Sequence, residues 1–411
     1  MINKNIRLAT LFSGIGAIEQ AFCKMQLPHK IVFACDNGEI DLIPLDSKEQ
    51  KEYIKLKKTE SSLSEIDKDR YIKLKTKIDN NISAIKATSL ELKGKDAKRR
   101  YIEEIYRNFS DKDNLVKRTY FSNYSINSAD FHLDVRFLDG RDYENQVDIM
   151  VGGSPCQSFS SNGKRGGIAD TRGTLFYEYA RVISEVRPKC FIFENVRGML
   201  VHDGGRTWSI IKSVFKDLDY NIYLQKDKKG NESPLLNAVD YGIPQTRERI
   251  YLVGIRKDIK LKKEFEFPEP IALQKYVFDF LEQEVPAKYY LGQKGFEFVT
   301  THPTRAQVGA SIMNCQKANQ QFNWNGDFIF EPISDKHNSE ILKQAYVGSW
   351  NGVKGVCRKF TPRECLRLMG FPDDFKIVVN DNAMYRQSGN SIVVNVLESI
   401  VKEIIKSGVF E

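Results

Sequence analysis

The sequence predicts an α/β fold: a mostly parallel sheet flanked by helices, followed by a small mixed domain and carrying an inserted helical hairpin. Three observations predict it. Short apolar runs alternate with stretches of helical period through residues 6–256. From about Asp41 to Lys98 that alternation gives way to Lys- and Glu-rich sequence with a sparse apolar stripe. Beyond about Arg256 the chain becomes polar and irregular, with Gly, Asn and interleaved aromatics.

The elements follow in order. Ile6 to Phe12 is a short apolar strand, and Ser13-Gly14-Ile15-Gly16 is a turn. Ile18, Ala21, Phe22 and Met25 recur at helical spacing. "KIVFACDN" is a second strand ending at Asp36. Strand, glycine turn, helix, strand and acid outline a nucleotide-type binding unit. The full GxGxxG pattern is missing, so a nucleoside-bearing ligand without a pyrophosphate fits better. Tyr53, Leu56, Leu63, Ile66, Leu74, Ile78, Ile82 and Ile85 mark two or more helices packed as a hairpin. Its supply of acids and bases is comparable, so a uniform phosphate-binding face is not expected. "KRRYIEEIYRNF" reads as the helix that returns to the sheet after the insertion. "VDIMVGG" is a strand, "TLFYEYARVISEVRP" a helix stopped by Pro188, "KCFIFENV" a strand ending at Glu194, "TWSIIKSVFKDLDY" a helix and "RIYLVGIR" a strand. Thr361 caps a helix that has Pro362 in its first turn, and "GNSIVVNVLESIVKEIIK" is an amphipathic helix. The domains are then residues 1–256, interrupted by the hairpin of 41–98, a small domain of 257–384, and a helix, 385–411, that returns to the first.

The 411 residues are 41% hydrophobic, enough for a sizeable core, and the net charge of +8 permits a polyanion partner. The seven cysteines are scattered without a CxxC pair, which excludes a disulfide framework or a zinc site. The start has no apolar region followed by a cleavage site, and no run is long enough to span a membrane. The chain reads as a reduced, cytoplasmic protein.

Cys156 follows one strand and Glu194 ends another. In an open parallel sheet such carboxyl ends converge on one crevice, where Asp36 and the Gly14 turn also lie. A thiol, a carboxylate and a nucleoside pocket on one edge point to covalent catalysis on a ring that needs protonation.

With these residues in view, the sequence resembles the cytosine-C5 DNA methyltransferases of the bacterial restriction-modification type. The motifs fall in the family's order: "LFSGIGAIEQAF", "GGSPCQSFS", "RGTLFYE", "FENVRGM", "LNAVDYGIPQTRERIYLVG", "RKFTPRECLRLMGFPDDF" and "YRQSGNSIVVNV". The resemblance covers nearly the whole chain except residues 41–98 and about 257–355. It implies a Rossmann-like, S-adenosylmethionine-dependent fold with a target-recognition domain at 257–384. The substrate it implies is a cytosine flipped out of double-stranded DNA. By this resemblance Cys156 would add to carbon 6, Glu194 would contact ring nitrogen 3 and the amine, Arg249 would bond the carbonyl oxygen, and Arg247 would brace the site through ion pairs. Gln157 is a candidate to fill the vacated stack. Ser158 to Arg172 is a candidate lid, with Lys164 and Arg165 near phosphates. Phe12, Ser13, Gly14 and Gly16 would hold S-adenosylmethionine. Asp36 would take its ribose, where the family usually has Glu, and Asp134 its adenine amine. Asn390 and Ser391 would close the pocket. Thr300 or Thr301 is a guess for a recognition-loop threonine. A monomer is expected, in a bacterium or a phage-infected one, with a cognate restriction endonuclease encoded nearby as a possible partner.

Two competing readings remain. One is a tRNA substrate, as in a branch whose Cys-Phe-Thr signature neither Cys315 nor Cys357 matches. The other is a non-catalytic DNA-binding module, which an eroded Cys, Glu or Arg would have supported.

Overall fold

The computed structural model describes residues 5–154, 175–319 and 324–411. Cys156, Gln157 and the lid segment Ser158–Arg172 lie outside the described residues.

The large domain opens with β1 (Ile6–Leu11), α1 (Ala17–Lys24) and β2 (His29–Cys35). The hairpin helices α2 (Ser47–Lys58) and α3 (Glu65–Glu91) follow, then α4 (Lys95–Phe109), α5 (Leu115–Asn123) and β3 (Phe131–His132). The alternation resumes with β4 (Ile149–Gly152), α6 (Leu175–Val186), β5 (Cys190–Val196), α7 (Arg206–Asp217), β6 (Tyr220–Tyr223), β7 (Leu235–Asn237), β8 (Gln245–Thr246) and β9 (Glu248–Arg256). The main sheet runs β3-β2-β1-β4-β5-β9-β6, with β7 also on β9. β3, β2, β1, β4 and β5 are parallel, and β9 runs against β5, β6 and β7. The strand order reverses between β1 and β4, which opens a crevice outside their carboxyl ends.

The strands read as continuous apolar runs because both faces are covered. Leu8, Ile192 and Val253 face a cluster with Phe22, Tyr120 and Leu397. Their neighbours Ala9, Phe191, Phe193 and Leu252 face another with Phe176, Tyr179 and Phe215.

The helix that returns to the sheet is α5, not the "KRRYIEEIYRNF" helix. Tyr120 of α5 is fully buried against Phe22 and Phe131. α4 instead packs Ile102 and Tyr106 with Ile40, Leu42, Ile85 and Phe137, at the foot of the hairpin. Apolar spacing alone does not tell these two helices apart, since both carry a buried stripe. The hairpin has its own small core of Tyr53, Leu56, Tyr71, Leu74 and Ile78, with Tyr53 and Tyr71 stacked 5.4 Å apart.

The small domain holds α8 (Gln293–Thr301), β10 (Ala306–Val308), β11 (Met313–Asn314), β12 (Gly326–Pro332), α9 (Ser339–Gln344), β13 (Gly348–Trp350) and β14 (Val353–Arg358). Its sheet is β10-β12-β14-β13, while β11 pairs with β8 of the large domain. Arg358 is fully buried there, bound to Glu331 at 2.7 Å and Glu364 at 2.8 Å, which satisfies a charge too costly to leave alone. α10 (Pro362–Arg367), α11 (Asp381–Asn390) and α12 (Val394–Lys406) return the chain to the large domain. The last helix begins at Val394, so Asn390 ends α11 and Ser391 lies in the connection.

Candidate active site

Side chains on a strand alternate between faces, so Arg249 and Tyr251 of β9 point the same way, and Arg247 directly precedes the strand. In the β5–β9 register Glu194 lies opposite Tyr251, and Arg249 is its diagonal neighbour. The Arg249 Nε is 3.3 Å from the Glu194 Oε1. Burial is the largest influence on Glu194 and pushes its carboxyl up, while the charges of Arg249 and Arg247 pull it down. Asn195 donates to the Ser154 carbonyl at 2.9 Å, tying the end of β5 to the chain that leads into Pro155 and Cys156. No side chain fits at Gly153, where a Cβ would lie 2.2 Å from the Glu194 carbonyl oxygen.

Arg247 braces the site, but through carbonyls rather than ion pairs. It donates to the carbonyls of Gln316 at 2.7 Å, Gly389 at 2.9 Å and Ser391 at 2.8 Å. Burial lowers its pKa, the penalty of desolvating a cation held by neutral dipoles. Three further residues complete this junction. Gln245 accepts from the Gln316 amide and donates to the Leu368 carbonyl, each at 2.9 Å. The Cys315 sulfur accepts from Arg247 at 3.4 Å and from Arg249 at 3.6 Å. Gln245 lies in the motif "LNAVDYGIPQTRERIYLVG" but was not singled out within it. Cys315 and Gln316 carried no signal, because their segment has no periodicity.

At the other end of the crevice, Phe12 (φ 53°), Gly14 (φ 52°) and Gly16 (φ 79°) take left-handed backbone. Phe12 does so without a glycine's freedom, a local strain of the kind that collects at ligand sites. A Cβ on Gly14 would meet nothing within 4 Å, whereas one on Gly16 would strike the Tyr124 ring. Ser13 is structural: its hydroxyl accepts from the Cys35 amide at 2.9 Å. The Asp36 carboxylate accepts from the amides of Gly14 and Gly38, each at 2.8 Å, and burial pushes its pKa up despite them. Asn390 donates to Glu39 at 2.6 Å, so the end of α11 does reach the loop after β2. Open backbone at Gly14 and the half-buried acid of Asp36 beside it fit a nucleoside-bearing cofactor such as S-adenosylmethionine.

Asp134 lies on the same edge with its carboxylate already engaged. It accepts from the Arg136 amide at 2.9 Å, pairs with the Arg136 guanidinium, and accepts from the Tyr106 hydroxyl at 2.8 Å. These contacts use about four lone-pair sites, the capacity of a carboxylate. Thr300 and Thr301 close α8, and their hydroxyls donate to the carbonyls of Phe296 and Glu297, so neither stands in a loop.

The family model for C-5 cytosine-specific DNA methylase matches residues 83–406. The chain is 38% identical over 304 residues to the type II methyltransferase M.SsoII of Shigella sonnei, covering 72% of this chain and 73% of that one. It is 36% identical over 269 residues to M.HhaI of Haemophilus parahaemolyticus, covering 62% and 75%. In fold it is similar to the crystal structure of S. pombe Dnmt2 methyltransferase, with a TM-score of 0.60, 17% identity and coverage of 99% and 100%.

Proposed function

We propose, because the chain belongs to the C-5 cytosine-specific DNA methylase family, that it methylates a cytosine flipped out of a specific duplex DNA sequence through a covalent bond to Cys156. The observation that carries this reading is the half-buried Glu194 carboxyl beside Arg249, at the strand end tied to the segment entering Cys156. Cytosine carbon 5 is a poor nucleophile. The Cys156 thiolate adds to carbon 6, and the electron pair of the ring double bond becomes available at carbon 5. Glu194 delivers a proton to ring nitrogen 3 as that bond forms, and Arg249 bonds the base carbonyl. Bound S-adenosylmethionine supplies the methyl group. Water then takes the carbon 5 proton, the double bond re-forms, Cys156 leaves as thiolate, and ring nitrogen 3 returns its proton to Glu194.

Phe12, Gly14, Gly16 and Asp36 line the cofactor pocket in this proposal, with Ser13 fixing the turn. Asn390 and Ser391 close it. Asp134 holds Arg136 and Tyr106 in its wall. Gln157 and Ser158–Arg172 keep their assigned roles as stack filler and lid. The relatives are named type II methyltransferases, which supports a place in a type II restriction-modification system. In this proposal the protein acts as a monomer in the bacterial cytoplasm and protects DNA from a cognate endonuclease. Among the described residues no helix is long and apolar enough to cross a membrane.

The test is transfer of labelled methyl groups to duplex DNA and to tRNA by the wild type and by Cys156→Ser. Transfer to duplex DNA and its loss in the variant are expected, because a hydroxyl is a far weaker nucleophile at neutral pH. Transfer by the variant near the wild-type rate sinks the covalent step, and transfer to tRNA alone sinks the substrate.

A further inference from the structure

The hairpin's balanced composition hides an unbalanced surface. Its two helices pack so that the acids of α2 turn inward. Glu49 is held by Lys77 at 2.6 Å and Glu52 by Arg70 at 2.8 Å, both cations coming from α3. Asp46 is used as the N-cap, accepting from the amides of Lys48 and Glu49. Tyr53 and Leu56 face the hairpin core. What remains on the outer face is Lys48, Lys51, Lys55 and Lys58, all exposed. Their spacing of three and four residues stacks them in one stripe along the helix. Among the described residues none of the four forms a salt bridge, while Lys57 beside them is held by Asp41 at 2.9 Å.

The stripe spans about 15 Å at 1.5 Å per residue. One DNA strand presents a phosphate about every 3.4 Å along the duplex axis, so four or so phosphates match that length. The hairpin is rooted at the carboxyl end of β2, on the sheet edge that carries Asp36 and Glu194. Lys86 of α3 is bound to Glu178 in the first turn of α6 at 2.9 Å, and α6 follows the Cys156 segment in the chain.

We infer that α2 binds the phosphate backbone of duplex DNA flanking the methylated sequence, adding affinity without reading bases. This rests on the reading of the chain as a duplex DNA methyltransferase. Phosphate contacts position a protein on DNA without carrying sequence information, so the surface adds affinity and leaves the methylated sequence unchanged.

The test combines Lys48→Gln, Lys51→Gln, Lys55→Gln and Lys58→Gln in the full chain. Binding is measured across a range of salt on two duplexes, one ending just outside the methylated sequence and one extending two helical turns further on each side. On the long duplex the slope of log affinity against log salt should fall by about 0.9 for each lysine that contacts a phosphate. On the short duplex, binding and methyl transfer should match the wild type, and the methylated sequence should be the same. An unchanged slope on the long duplex overturns the inference, as does an equal loss on both. A wild type that methylates no duplex defeats the underlying reading as well, which a methylating wild type with an unchanged slope does not.

Discussion

Glu194 shows how one residue's surroundings set its chemistry. A carboxyl in water is ionised at neutral pH and gives no proton to a ring nitrogen. Burial raises its pKa, and Arg249 keeps the rise from becoming complete. Glu194→Gln keeps the shape and the hydrogen bonding but has no proton to share. We expect kcat to fall by about 10²–10⁴-fold, the range for losing a general acid, with S-adenosylmethionine binding by calorimetry unchanged. A variant within a few fold of wild type would remove proton delivery from Glu194. Glu194 was legible as the acid that ends an apolar strand, whereas Arg249 was assigned through the motif resemblance, and the structure sets the two 3.3 Å apart. Cys315 was illegible because its sulfur reaches the two arginines only through the pairing of β11 with β8. The surroundings of Asp134 were illegible for a related reason. The Tyr106 that occupies it belongs to a helix outside the strand-helix alternation, and sequence spacing says nothing about where such a helix docks.

At the scale of elements, the insertion was visible as a break in pattern, but its exit was not. α4 and α5 both have apolar stripes, and only the depth of burial tells which one completes the sheet. The hairpin's own core and its few ties to the large domain make it separable. Replacing residues 47–91 by a short Gly linker removes surface structure at a small cost in closure entropy. We expect the variant to keep its cooperative unfolding and its methylated sequence, mapped by bisulfite sequencing beside the wild type, while losing affinity only for duplexes with long flanks. A changed methylated sequence would put the hairpin on the bases. Arg358 with Glu331 and Glu364 explains why the small domain was harder to read: its order comes from a buried ionic cluster and a mixed sheet rather than from a periodic apolar pattern.

For the whole molecule, the pH dependence of stability has an identifiable contributor in Glu19, fully buried on α1. It accepts from the Tyr120 hydroxyl and from Thr10, yet burial dominates and pushes its carboxyl up to about 7. A raised acid favours the folded state while it is protonated. Its stabilisation is therefore full below the unfolded value of 4.5 and lost as the pH rises through about 7. Glu19→Gln should unfold at a higher temperature than wild type at pH 8, by a few degrees, since about 1 kcal/mol moves the Tm of a large domain by roughly 2–4 °C. The gap should narrow at pH 5, and an equal gap at both values would clear Glu19 of the effect. Another property of the whole follows from how far apart in the chain the partners of Arg247 and α1 lie. Arg247 holds carbonyls of residues 389 and 391, and Lys24 of α1 reaches Asn395 of α12 across 371 positions. On a ribosome β1 and α1 emerge well before α11 and α12, and wait for these closing partners until both helices have been made. Loop closure over such separations is slow, so a nascent chain carries an unfinished pocket and is exposed to misfolding and proteolysis for most of its synthesis. The arrangement also delays modification of DNA until translation has run almost to the last helix.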